Sequence, residues 1–437
     1  MSITSECRNQ AEDLVVYLDA SPSPWHAVAA AVARLRAGGF VCLDEKERWR
    51  LEAGGRYFVV RGGSSLVAFI VGTEAPATAG LRLVGAHTDS PGLRLKPRPA
   101  QLAEGVVRLG VEIYGGPLLA TFADRDLALA GRVAVRAGAG VEMRLLRFAQ
   151  PMLRLPNLAI HMNREVNDKG LRFDKQNELP LLFAMAAAGT TAEAQFMAAV
   201  AHELQVEADA ILSWDLNVYD TQPAAIWGLD REFIASGRLD NLASCHAALC
   251  ALSAAAAPAA SCVCALFDHE EVGSESSGGA EGSFLTDVLA RLFAQQKTDD
   301  EDRRRALARS FFLSADMAHA WQPNFPAAYE PGHRVQVNAG IVLKTNANQR
   351  YSGDADSAAR LLRLGEAAGV PVQRYVHRSD LACGSTIGPL LAAALGVAGV
   401  DIGAPLWAMH SIRESAGVRD HGDMIAVLAA LFNAREP

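Results

Sequence analysis

The stretch from Cys262 to Gly279 constrains the fold of this chain more than any other. Cys262-Val263-Cys264-Ala265-Leu266-Phe267 is an unbroken apolar run. It gives way to Asp268-His269-Glu270-Glu271-Val272-Gly273 and then to a small polar loop, Ser274 to Gly279. A short apolar run closed by such a loop predicts a buried strand. Reacting groups in open α/β sheets lie beyond the carboxyl ends of the strands. Two adjacent carboxylates there, Glu270 and Glu271, repel each other and are costly to desolvate unless a proton or a cation compensates them. The pattern points to a metal at a strand end.

Around that strand the chain is long enough for two domains, at 437 residues with half of them hydrophobic. A formal net charge of −8, with both signs scattered along the chain, argues against a nucleic-acid partner. Seven cysteines without CxxC spacing, two of them inside the apolar strand, suit a reduced, cytoplasmic setting. Met1 to Gln10 is polar and carries Glu6, unlike a signal peptide. The apolar run Ala254 to Ala260 is short and broken by Pro258, so no membrane span is expected.

Ser23 before Pro24 predicts the start of a helix over Trp25 to Arg36, stopped by Gly38-Gly39. Arg56–Val60 and Leu66–Val71 read as a hairpin, and Leu81–Ala86 as a strand ending in His87-Thr88-Asp89-Ser90-Pro91-Gly92. The character then changes. Val107, Leu109, Val111 and Ile113 alternate with polar or small neighbours, as do Leu212, Trp214, Leu216 and Val218, which predicts half-exposed strands. With one helix at Glu178 to Ala188 between them, residues 93–237 read as a β-rich insertion in a catalytic domain made of 1–92 and 238–437. Helix Leu242–Ala256, strands Cys262–Phe267 and Ser310–Ala315, and helices Leu390–Leu395 and Ile425–Asn433 restore the α/β rhythm. The charged run Asp299 to Arg305 reads as a solvated helix start.

Five residues able to ligate a metal fall at strand ends or in nearby loops: His87, Asp240, Glu271, Asp316 and His410. Imidazole and carboxylate suit zinc, with cobalt or manganese as alternatives. One open catalytic zinc uses three protein ligands, so five residues suit two ions sharing one carboxylate. Asp240 is the expected bridge, with His87 and Asp316 on one side and Glu271 and His410 on the other. Asp89, two residues after His87, is placed to orient its ring. Glu270 is left over as a general base beside two ions that activate water. Taken singly, each has a structural reading as well: a hydrogen-bonding histidine, an acid pair capping a helix, an ordinary N-cap at Asp240.

At these residues the sequence resembles the aspartyl aminopeptidase family of dizinc metallopeptidases, over nearly the whole chain. The resemblance is carried by Ser21-Pro22-Ser23-Pro24, Ala86 to Lys96, Leu158-Ala159-Ile160-His161, Asp240-Asn241 and Glu270 to Ser276. It continues in Ser314 to Ala320, Asn348-Gln349-Arg350-Tyr351, Cys383 to Pro389 and Ala408 to Glu414. It implies a mixed-sheet α/β zinc-peptidase domain with an inserted β-rich dimerisation domain. The implied activity is removal of N-terminal residues, preferentially Asp or Glu, from peptides with a free N-terminus. Two Zn2+ per subunit and a homododecamer built from dimers are implied too. The family's ligands fall on His87, Asp240, Glu271, Asp316 and His410, and its base on Glu270. Its substrate positions fall on His161, His319, Lys344, Tyr351 and Met409, with His161 acting in a neighbouring subunit's site. Lys344 could pair with an acidic substrate side chain, whereas Tyr351 and Met409 would otherwise pass as core or rim residues. His269 departs from the Asn of many members and bears on the pH optimum. The rival readings are a two-metal deacylase of N-acyl amino acids and a non-catalytic shell protein.

Overall fold

The computed structural model describes residues 3–436. Met1, Ser2 and Pro437 lie outside the described residues, and with them the first residues of the polar start and the outermost ends of 1–92 and 238–437.

Ser261–Phe267 is a strand, and every residue in it is buried. It sits in a nine-stranded mixed sheet. On one side it pairs antiparallel with Ser65–Ile70, the inner arm of the hairpin Arg56–Arg61 and Ser65–Ile70. On its other side it pairs parallel with Leu81–His87, which continues in parallel to Phe311–Ala315 and then Ala398–Gly403. Phe267 and His87 stand opposite each other in register. These two strands therefore end together, and the acid pair and His87 emerge at the same edge. Helices cover both faces, as the apolar run requires. Ser5–Ala20, Pro24–Ala37, Leu239–Ala254 and Val418–Asn433 pack on one side, and Phe284–Gln295 and Ile387–Leu395 on the other. Fully burying a side chain such as Phe267 contributes about 1.5–3 kcal/mol.

Residues 92–220 build a separate, wholly antiparallel six-stranded sheet with its own core around Leu93, Leu109, Val133 and Leu216. The alternating segments are the strands Val106–Tyr114 and Ile211–Asp220. The expected helix at Glu178 to Ala188 is not there. Leu181–Met185 is an edge strand paired with the start of Val106–Tyr114. Pro180 explains the difference: it cannot donate a helical hydrogen bond and steers its predecessor to extended backbone. The helix of this lobe is Ala192–Leu204, absent from the sequence reading, with Thr191 accepting from Ala194 N. It seals the core through Phe196 and Val200.

A small third sheet joins Ala225–Trp227, Phe233–Ser236, Glu414–Gly417, Pro405–Trp407 and Ala318–His319. The turn carrying His410 lies between two of its strands. The C-terminal helix begins at Val418 rather than Ile425, because its polar first turn is buried and partnered: Asp420 accepts from Asn338 N and from Gly340 N at 2.9 Å. Among the described residues no helix is long and apolar enough to cross a membrane.

Candidate metal centre

His87 closes its strand, Asp316 follows Phe311–Ala315, and Glu270 and Glu271 lie in a single 3-10 turn after Ser261–Phe267. Asp240 sits where the first turn of Leu239–Ala254 departs from helical geometry. His410, with φ of 68°, comes from the turn in the third sheet. The structure brings all six side chains to one point beyond the parallel strands. His87 Nε2 lies 3.4 Å from Asp240 Oδ1 and 3.6 Å from Asp316 Oδ1. His410 Nε2 lies 3.5 Å from Asp240 Oδ2 and 3.6 Å from Glu271 Oε2. Glu270 Oε2 stands 3.9 Å from His87 Nε2.

These separations are too long for hydrogen bonds between imidazole and carboxylate, which run to about 3.2 Å. The four between 3.4 and 3.6 Å match the edges of a coordination shell, since bonds of about 2.0–2.2 Å in tetrahedral array set neighbouring ligand atoms about 3.3–3.6 Å apart. Asp240 Oδ1 is moreover buried with no hydrogen-bond partner. An orphaned carboxylate oxygen is costly, and a cation between it and His87 removes the cost. The residues present thus fit a zinc ion, and Asp240 turns one oxygen toward His87 and the other toward His410.

The remaining atoms of both imidazoles are held. His87 Nδ1 faces Asp89, 3.3 Å from Oδ1 and 3.1 Å from its carbonyl oxygen. That assigns the proton to Nδ1 and leaves the Nε2 lone pair directed into the site. Asp89, fully buried, also accepts the backbone amides of Glu270 and Glu271 at 3.2 Å each and the Tyr114 hydroxyl at 2.7 Å. One carboxylate therefore fixes the histidine and the acid pair together. His410 Nδ1 bonds Gly116 O at 3.0 Å, a contact from the second lobe.

Glu414, which the sequence reading quoted but gave no role, accepts from His410 N at 2.7 Å and from Asp240 N at 3.1 Å. It ties two candidate ligands from distant segments, and only its position four residues after His410 hinted at this. Burial pushes the Glu270 carboxyl up to about 8, with Asp316, Asp89 and Asp240 adding to the rise and His87 opposing it. Burial disfavours the charged form of His410, yet Asp240 and Glu271 override it and lift that imidazole to about 10. Without a cation, crowded carboxylates hold protons instead.

The expected substrate residues are placed unevenly. Lys344 is buried, with Nζ donating to Asp316 Oδ2 at 3.0 Å and to Met317 O at 3.1 Å, beneath the Tyr351 ring at 5.0 Å. His319 stacks near Tyr375 and His377, and burial holds it down at about 4. Met409 packs at the edge of the main core. His161 is not among them: it lies exposed in the second lobe, flanked by exposed Leu158, Ile160 and Met162. His269 is engaged elsewhere, with Nδ1 on Ser276 Oγ at 2.7 Å and Nε2 3.5 Å from Asp268.

A second cluster, Asp13, His246 and Cys250, has the composition of a metal site but a different geometry. His246 bonds Asp13 at 2.9 Å and His421 at 2.9 Å, and Arg34 grips Asp13 with two nitrogens at 2.7 and 2.8 Å. These are hydrogen-bond lengths, so the cluster is a core network joining four helices. Burial lowers the pKa of His246, and that of His421 well below its usual value. Both histidines gain a proton on unfolding before they gain one folded, so stability falls as pH drops below about 6.5, by up to about 1.4 kcal/mol per pH unit for each. Denaturant midpoints measured from pH 7.5 to 5 are expected to fall less steeply in His421→Asn than in the wild type.

A family model described as aminopeptidase I zinc metalloprotease (M18) matches residues 17–432. A probable M18 family aminopeptidase 2 of Stutzerimonas stutzeri is 48% identical over 429 residues, covering 97% of this chain and 98% of that one. Among solved structures, Ape4 in its complex with Nbr1 superposes with a TM-score of 0.94 at 35% identity, covering 99% of this chain and 88% of that one. The mApe1 dodecamer of Saccharomyces cerevisiae gives 0.84 at 27% identity, over 97% and 96%.

Proposed function

The chain belongs to the M18 family of zinc metalloproteases and is an aminopeptidase, and from that premise we propose a dizinc exopeptidase with Glu270 as its general base and a preference for N-terminal Asp or Glu. His87, Asp240 and Asp316 would hold one ion, and Asp240, Glu271 and His410 the other. The observation that carries this reading is the bridging posture of Asp240, with one oxygen 3.4 Å from His87 and the other 3.5 Å from His410. Such a pair of ions, when bound, polarises the scissile carbonyl and lowers the pKa of the attacking water.

The chain supplies the rest. Glu270, beside the cluster but outside both trios, takes a proton from the attacking water at its carboxylate and passes it to the departing amine. Asp89 keeps the His87 ring and the Glu270 backbone in fixed relation, so the base does not drift from the site. Lys344 neutralises the outer oxygen of Asp316 and has a third ammonium hydrogen beyond the two it gives to Asp316 and Met317. That hydrogen, under the Tyr351 ring, is the element of the site suited to an acidic substrate side chain.

The second lobe fits an assembly role. Val141, Met143, Leu145, Leu158, Ile160 and Met162 are exposed apolar residues on it, and surfaces of that kind mark association sites. With a dodecamer among the solved relatives, the proposal includes dimerisation through residues 93–237, a homododecamer, and His161 reaching a neighbour's site. Residues 1–92 and 238–437 form the catalytic domain in this reading, and the setting is cytoplasmic.

A rate profile across Asp, Glu, Ala and Leu aminoacyl substrates, with and without chelator, tests it. The expected result is hydrolysis of Asp and Glu substrates at least tenfold above Leu, abolished by chelator and restored by zinc. Equal rates would remove the acidic preference, and cleavage of N-acetylated substrates alone would favour a deacylase.

A further inference from the structure

The second lobe reaches the metal centre where its strand Val106–Tyr114 ends. Tyr114 is buried and gives its hydroxyl to Asp89 Oδ2 at 2.7 Å. Gly116 O meets His410 Nδ1 at 3.0 Å. Between them Gly115, at φ of 66°, lies against the acid pair, where an added Cβ would stand 3.2 Å from both the Cβ and the carbonyl oxygen of Glu271. Glycine is required there on both counts, because L side chains avoid that backbone region and this one would press on Glu271. The contact continues along the His410 turn. Leu118 N donates to His410 O at 2.9 Å, and Thr121 Oγ1 accepts from Ile412 N at 3.0 Å. Residues 114–121 therefore touch Asp89, Glu271 and the His410 turn, although none of the candidate ligands lies among them.

Tyr114 acts on the carboxylate that orients His87. Asp89 Oδ1 faces His87 Nδ1 at 3.3 Å and the Glu270 amide at 3.2 Å, and Oδ2 takes the Glu271 amide at 3.2 Å and the Tyr114 hydroxyl at 2.7 Å. The bond from Tyr114 is the shortest of the four, and an O–H donor on a carboxylate at that length is charge-assisted. Burial and the Asp89 charge push the phenol pKa up, so the hydroxyl keeps its proton and stays a donor. The ring is held too, with the Arg94 guanidinium lying on it at 3.6 Å. Arg94 has Glu112 opposite it in register and the buried Asp268 nearby, acids that offset its charge. Without the hydroxyl, Oδ2 retains only the longer amide contact. Asp89 can then turn about its side-chain torsions, and the His87 ring loses the partner that aims its Nε2 lone pair.

We propose, on the dizinc reading, that Tyr114 is a positioning residue of the metal centre, acting through Asp89 on His87, and that residues 114–121 make the second lobe a structural part of that centre. The lobe with the exposed apolar surface then also sets how tightly the ion beside His87 is held.

Tyr114→Phe keeps the ring and its stack on Arg94 and removes only the donated hydrogen bond. Zinc affinity is measured by competition with a chromophoric chelator, and the cobalt-substituted protein is compared by its visible absorption. The variant is expected to hold the ion beside His87 about 10–100-fold more weakly, the usual cost of removing a group that orients a ligand, with altered cobalt bands. A residue that merely packs would lower the melting temperature and leave zinc affinity and the cobalt spectrum at their wild-type values, and that result overturns the proposal. Wild-type protein that binds no zinc is a separate failure, which removes the dizinc reading and this one with it. Should Tyr114→Phe fail to fold, Gly115→Ala decides. Its methyl group presses on Glu271, so weaker zinc binding is expected there as well, and wild-type affinity overturns the role of residues 114–121.

Discussion

Glu270→Gln is expected to lower kcat by about 10²–10⁴-fold, the contribution of a positioned acid–base group, and to leave zinc content at the wild-type value. The substitution keeps shape and size and removes only the capacity to take a proton. Glu270 belongs to neither trio around Asp240, and its Oε2 stands 3.9 Å from His87 Nε2. Its backbone amide, bonded to Asp89, is untouched. Glu271→Gln makes the contrast. Its Oε2 stands 3.6 Å from His410 Nε2 at shell-edge distance, so that variant is expected to lose metal together with turnover. Zinc per subunit by elemental analysis, measured beside kcat and KM, separates the two neighbours. A Glu270→Gln enzyme within tenfold of wild type would take this residue out of the proton transfer.

Much of the frame and of the centre was legible because burial and backbone geometry leave marks on sequence. Cys262 to Phe267 reads as a buried strand because a short apolar run ends in an acid pair and a small polar loop, and the ends of two parallel strands in register bring His87 and the acid pair to one edge. Contacts made across the fold left no such mark. Glu414 looks like any other glutamate until Asp240 N and His410 N are seen pointing at it. Lys344 is read from sequence as a free cation, and the structure adds the Asp316 contact that no spacing reveals. In the second lobe, the helix expected at Glu178 to Ala188 gives way to a strand, Leu181–Met185, because an open sheet edge claims it. The edge supplies hydrogen bonds that local preference does not count.

Asp240→Ala is expected to reduce bound zinc from two ions per subunit to less than one and to bring turnover to background. The side chain is the one group shared by both trios, so its removal leaves two ligands on each side, His87 with Asp316 and Glu271 with His410, one short of the three that an open catalytic zinc uses. Asp240→Asn tests the bridge more finely. It keeps one oxygen and replaces the other with an amide that cannot ligate, so one trio stays complete and about one ion per subunit is expected. A hydrogen-bonded cluster with no bridge predicts a different result for Asn. In that case Asn, still able to bond a histidine from either atom, would leave zinc content untouched, and Ala would act only through stability. Two zinc ions retained at wild-type affinity in Asp240→Ala would end the bridging role, because 3.4 and 3.5 Å on opposite oxygens would then have no cation between them to explain it.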